Sequence, residues 1–349
     1  MQNVSKSEHI WRAIEARQKR RATQKVLDWI RTKPEGGITV MFVLTQIVCI
    51  CAAVIFPDDF RYLSAANISV TLKAAAPLGI IALGVGILMI SGEFDLSVGA
   101  LYSLCAILCG MVSNALEPTF GALAPFIGLT ISLAFAACAG ILHSAITLIF
   151  VIPSFITTLG AMLFWKGATL LVNGSSALRF RPPEPFQSIF NGQFGVVHMG
   201  TVWFLILALV TYFFLHHHRI GNHFFAVGGN EKAATAIGVN PFLVKTIAFA
   251  IACSCAAVAG VIAATRVSSV QPGAGLGLEL QAIAGCVIGG VALMGGRGSI
   301  LGIVLGSFLV FTIKDVLLLL QAPGFYFDMF VGSLIVFSVV LNSAIQRKA

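Results

Sequence analysis

Apolar residues run through the chain in long stretches, broken by short polar or glycine-rich segments. A helix needs about 20 largely apolar residues to cross a bilayer. By that measure ten segments qualify, at roughly 38–57, 74–91, 97–115, 121–142, 153–173, 197–215, 244–265, 278–296, 298–320 and 325–342. The pattern predicts an all-α polytopic membrane protein of about ten transmembrane helices. An even count places both termini on one side.

Two junctions break the rhythm. Segment two runs through Ser91-Gly92-Glu93-Phe94-Asp95-Leu96-Ser97-Val98-Gly99 straight into segment three. Segment eight runs through Gly289 to Ser299, including Gly295-Gly296-Arg297-Gly298, straight into segment nine. Both helices are glycine-interrupted, and both approach their junction in the same direction. Paired broken helices at matching places in two halves point to a transport pathway.

Composition closes off the soluble classes. Of 349 residues 58% are apolar and 10% charged, against about 25% charged in ordinary domains. A soluble fold of this length cannot hide so much apolar surface. The net charge is +8. Nine basic residues precede residue 34, from Lys6 to Lys33, just ahead of the first apolar run. Nucleic-acid binding is the rival reading of such a cluster, but its position favours retention on the cytoplasmic side. Trp11, Ile14, Val26, Trp29 and Ile30 interleave with these charges, as in an N-terminal amphipathic helix lying along the membrane surface. No removable signal peptide is expected. The chain thus divides into a basic cytoplasmic segment (1–37), a membrane domain (38–342) with a cytoplasmic loop at 216–243, and a basic cytoplasmic tail (343–349). Arg179 and Arg181 in the external loop 174–196 run against this charge bias.

Candidate chemistry is sparse. All eight cysteines lie in apolar runs without zinc spacing and read as small hydrophobes. Glu93 and Asp95 have two readings: an ion or proton relay, or carboxylates in a wet inner junction, where Asp95 caps the helix beginning at Leu96. Arg297 is a candidate partner for either acid. Lys314 and Asp315 are adjacent and cannot face each other on a helix, so Lys314 is expected to snorkel. His216, His217, His218 and His223 lie where a span meets the cytoplasm and read as a solvated interface rather than a metal site. In the loop, Gly228-Gly229-Asn230 predicts a turn. Glu231 to Ile237 predicts a short helix, ended by Gly238 and blocked by Pro241. So short a helix is unstable alone; it is either an ordinary connection or a piece held in a groove of another protein.

These residues resemble the permease subunits of bacterial ABC importers for ribose, xylose, galactose and related sugars. Gly92 to Gly99 (GEFDLSVG) is similar to that family's G-G-I-D-L-S-V-G, and Ile152 to Gly160 to its V-P-S-F-I-x-T-L-G. Gly229 to Ala234 is similar to G-N-N-E-x-A-A, and Gln271-Pro272 through Ser299 to the C-terminal signature. The likeness covers roughly residues 40–342. It implies a bacterial inner-membrane subunit paired with a second copy or a paralogue. It also implies a cytoplasmic ATPase that binds ATP and Mg, and a periplasmic or extracellular sugar-binding protein. No cofactor or metal is implied for the chain itself, and no nucleic acid. Gly229, Asn230, Glu231, Ala233, Ala234 and Gly238 would couple to the ATPase. Gly92, Asp95, Ser97, Gly99, Gly295, Gly296, Arg297 and Gly298 would shape the gating junctions. Pro153, Phe155, Gln271, Glu279 and Gln281 are candidates for the solute path. The chain has no Gly-Lys-Ser or Gly-Lys-Thr, so it lacks the phosphate-cradling loop of such ATPases. Glu93-Phe94 replaces Gly-Ile, Leu278 stands for Tyr, Gln281 for Asp, and Lys314-Asp315 for an amide pair, which leaves the particular solute open.

The reading is therefore a permease for a small neutral sugar or polyol, working by alternating access. The alternatives are an ion-coupled secondary transporter using Glu93, Asp95 or Asp315, and a membrane enzyme built on the histidines.

Overall fold

The computed structural model describes residue 33 and residues 35–346; the basic segment before them and the end of the tail lie outside the described residues. The helices are α1 (Gly36–Ile55), α2 (Ala65–Ile90), α3 (Val98–Phe120), α4 (Ala124–Ile149), α5 (Ser154–Asn173), α6 (Phe186–Asn191) and α7 (Met199–His217). They continue as α8 (Arg219–Gly229), α9 (Glu231–Ala236), α10 (Pro241–Val267), α11 (Leu278–Ile288), α12 (Ile300–Leu319) and α13 (Phe325–Gln346). A single 3-10 turn (Gly121–Leu123) and four two-residue strands complete the described chain: β1 (Leu178–Arg179), β2 (Gln193–Phe194), β3 (Val197–His198) and β4 (Ser269–Val270). The protein is an all-α polytopic membrane protein. Among the described residues seven stretches are long and apolar enough to cross a bilayer, one of which, Val98–Ile149, contains both α3 and α4.

Two predicted segments change length. The second begins at Ala65 rather than near residue 74, because the Ser64 hydroxyl accepts from Asn67 N (3.1 Å) and caps a turn that hydropathy does not register. The eighth ends at Ile288. At 11 residues it is about 16 Å long, about half the thickness of a bilayer's hydrocarbon core, and the residues from 289 to 299 that follow it are irregular.

The core forms around α2, which is buried on every face from Ala75 to Ile90. Helices α7, α10, α11 and α12 surround it, while α1 and α5 stay outside with most of their surface exposed. Small residues set the spacing, as expected where lipid offers no hydrophobic drive. At Gly140 of α4 an added Cβ would lie 2.6 Å from the Phe249 carbonyl oxygen of α10. At the end of the bundle away from the two junctions, β1 pairs antiparallel with β4, and β2 with β3. There the His198 imidazole meets Ser69 Oγ at 3.0 Å. Burial, helped by the Lys73 and Arg266 charges, holds that ring below the ordinary histidine range.

Candidate functional site

Three segments interlock at the other end: residues 91–97 after α2, residues 289–299 before α12, and the elbow between α8 and α9. Gly296 N donates to the Ile90 carbonyl across 2.9 Å and joins the first two. Gly228 packs on that bond, where a Cβ would strike the Ile90 oxygen and stand 2.7 Å from Gly296 N. Gly92 (φ +92°) and Gly295 (φ +83°) meet in the same knot. Beyond Gly298, the Ser299 hydroxyl accepts from Gly302 N (3.0 Å) and caps α12. The two glycine junctions, distant in sequence, touch each other.

Asp95 is fully buried rather than wet. Its Oδ1 accepts from Ser97 N (2.7 Å) and the Ser97 hydroxyl (2.5 Å). Its Oδ2 accepts from His143 Nδ1 (3.2 Å) and the Cys253 thiol (3.3 Å). Trp165 Nε1 donates to His143 Nε2 (2.9 Å). An indole only donates, so the ring proton sits on Nδ1 and points at Asp95. A carboxylate has about four acceptor positions, and all are taken. Asp95 does order the start of a helix, but in a dry interior, and the helix starts at Val98. Cys253 is a donor in this network, which corrects the reading of every cysteine as a hydrophobe. Asp95, His143 and Cys253 offer ligand atoms within 4.8 Å of one another, a spacing that suits a metal ion. The Trp165 contact opposes one: with Nδ1 on a metal, Nε2 would carry the proton and face another donor.

Glu93 is taken as well. Lys245 Nζ, near the start of α10, donates to Glu93 Oε1 (2.8 Å) and to Glu231 Oε2 (2.7 Å). Arg297, proposed as partner for either acid, meets neither; it is exposed and makes no ion pair among the described residues. Asp315 accepts from Asn67 Nδ2 (2.8 Å), while Lys314 lies over the Phe327 ring at 5.2 Å. His216, His217 and His218 pack against Tyr212, Phe213 and Phe214, and with His223 form no metal-spaced group among the described residues. Sequence reading passed over His143 and Lys245. Each is an ionisable side chain inside a largely apolar helix, and that is the signal that could have found them.

The predicted short helix is α9. Asn230 caps it by accepting from Ala233 N (3.0 Å), and Gly238 (φ +87°) ends it. Gly228 and Gly229 are not a turn but the last residues of α8. Asn230, Glu231, Ala233 and Gly238 are exposed, whereas Ala234 is 2% exposed and anchors α9 to the core. Ala234 therefore has no surface for a partner.

The solute-path candidates do not form one site. Pro153 and Phe155 begin α5 beside the junctions, where the Ser154 hydroxyl accepts from Phe94 N (3.1 Å). Gln271 directly follows β4, and Glu279 and Gln281 lie in the first turn of α11. Gly99 packs on Glu279: a Cβ there would strike Glu279 Oε2. Glu279 is buried, with Oε1 accepting from Gly277 N (3.1 Å) and Oε2 without a partner among the described residues. A separate cavity of about 470 Å³ lies between α1, α2 and α12, lined mainly by apolar groups with Gln46, Tyr62 and Thr71 among them, and by none of the five candidates.

The family described as branched-chain amino acid transport system / permease component matches residues 67–339. The chain belongs to this permease family. Similar proteins include the autoinducer 2 import system permease protein LsrC of Salmonella typhimurium (strain LT2), 31% identical over 310 residues, 87% of each chain. The proteins of the same name from Escherichia coli O9:H4 (strain HS) and Shigella flexneri are each 30% identical over 310 residues, 87% of this chain and 89% of theirs. No solved structure matches. The resemblance to simple-sugar ABC permeases is borne out. The permease is the membrane component of such an importer and not its ATPase, which is a separate subunit.

Proposed function

We propose that this permease forms an alternating-access path for a small neutral polyhydroxylated solute, moved by a cytoplasmic ATPase that docks on α9. The observation that carries the reading is α9 itself. It is a capped six-residue helix that presents Asn230, Glu231, Ala233 and Gly238 outward and follows directly on Gly228 and Gly229, which pack on the knot where both glycine junctions meet. The charge bias of the basic residues before residue 34, the loop 216–243 and Arg347-Lys348 supports a reading in which that end, with both termini, faces the cytoplasm. A second permease copy or a paralogue would complete the path, and an external binding protein would deliver the solute at the β1–β4 end. Glu279, with an unpartnered oxygen inside the domain, is the candidate best suited to accept a solute hydroxyl. The relatives' names make autoinducer 2 the first solute to assay, with ribose, xylose and galactose beside it.

An ion-coupled mechanism needs a carboxylate free to load and release. The bonds on Asp95, Glu93 and Asp315 weigh against it. Glu231→Lys should leave the complex assembled and hydrolysing ATP while uptake falls about tenfold or more, a loss of about 1.4 kcal/mol of coupling or greater. Uptake at the wild-type rate in that variant would remove α9 from the mechanism.

A further inference from the structure

Lys245 holds together two carboxylates from different parts of the machine. Its side chain and that of Glu93 are 10% and 12% exposed, while that of Glu231 is 53% exposed. A nearly buried ammonium carries a desolvation cost that only close, well-placed partners offset, and here it has two. The three groups lie on three elements: Glu231 on α9, Lys245 on α10 and Glu93 in the first junction. Eight residues further along α10, Cys253 donates to Asp95. One helix thus grips the junction at both of its acids and holds α9 by the same ammonium.

The alternative is a staple that merely fastens the loop. Three features favour a moving link. Helix α9 is too short to hold itself and is fixed by the Asn230 cap, the buried Ala234 and this ion pair. The pair is graded, with its exposed member on α9 and its buried members inside. Among the described residues, the three ion contacts are this pair, Lys245–Glu93 and His143–Asp95, so every charged path from α9 to the junction runs through Lys245.

We infer that Lys245 is the positioning residue that carries displacement of α9 to the first glycine junction through Glu93, an inference that rests on the reading of α9 as the ATPase dock. Glu93 and Glu231 share one cation, so a shift of either resets its distance to the other. Coupling of this kind needs an element with two arrangements that both ends bias, and the glycine knot is that element.

The test uses the assembled permease–ATPase complex, with Cys51 and Cys138 replaced by Ser and Phe94→Cys as a reporter in the junction. The thiol labelling rate is measured with and without ATP and magnesium, so no solute is needed. With Lys245 present, ATP is expected to change the rate by about fivefold or more, the lower end of ordinary inter-site coupling. Lys245→Met and Glu93→Gln should each abolish that change while the ATPase stays bound, and Lys245→Arg should restore most of it. A staple would change thermal stability in these variants and leave the ATP response intact. An undiminished response in both Lys245→Met and Glu93→Gln overturns the relay, and so does a reporter that ignores ATP with Lys245 in place. Should Lys245→Met fail to assemble, Glu93→Gln decides, since it keeps the Lys245–Glu231 pair. Glu231→Lys separates the two claims. If it too keeps the response, docking through α9 fails; if it alone loses the response, only the relay fails.

Discussion

Gly228→Ala should end transport. The added methyl has no room, since the Ile90 carbonyl oxygen and Gly296 N already occupy its place. Both are backbone atoms held by their own hydrogen bond, so no side chain can swing aside. Overpacking of ordinary cores costs about 1–3 kcal/mol, occasionally more, and this contact belongs at the upper end. About 3 kcal/mol corresponds to a loss of about 100-fold in correctly closed protein. Uptake by cells making the Ala variant, normalised to inserted protein, measures it. Substitution of Gly229, whose Cβ would lie 3.9 Å from Gly296 Cα, should be far milder. Equal losses at the two positions would mean that the knot is not what Gly228 protects.

Asp95→Asn should be the most damaging isosteric change in the interior. The carboxylate accepts from Ser97 twice, from His143 and from Cys253. An amide keeps one acceptor and turns two hydrogens toward those donors. Each buried donor left unmatched costs about 1–3 kcal/mol, so the variant should lose about 3 kcal/mol or more. Thermal unfolding in detergent reads the stability. Thiol labelling with Cys51 and Cys138 replaced by Ser reads the site, because Cys253 is fully buried while Asp95 holds it. Faster labelling of Cys253 is expected, and unchanged labelling with unchanged stability would refute the network.

The sequence reveals this protein in proportion to how local its signals are. Apolar runs mark the long helices, and the Asn230 and Gly238 signals mark α9 within a residue, because caps and breakers act over three or four positions. What it hides is pairing at a distance. His143 and Cys253 meet Asp95 from 48 and 158 residues away, and nothing near Asp95 announces them. The sequence pairs Arg297 with the acids because all three belong to the junctions, yet Lys245 from α10 takes Glu93 and Arg297 is exposed. Hydropathy also cannot tell a crossing from a helix of 11 residues followed by irregular backbone, since both are equally apolar. Gly228-Gly229 reads as a turn by composition, whereas packing against Ile90 keeps it helical and explains why small residues stand there.

Reconstitution of the purified permease in vesicles, with and without its ATPase, tests the central claim most directly. The account predicts no uphill accumulation by the permease alone. With the ATPase, the binding protein and ATP it predicts accumulation that persists when the proton gradient is collapsed. Accumulation by the lone chain, or accumulation that vanishes with the gradient at constant ATP, would contradict it.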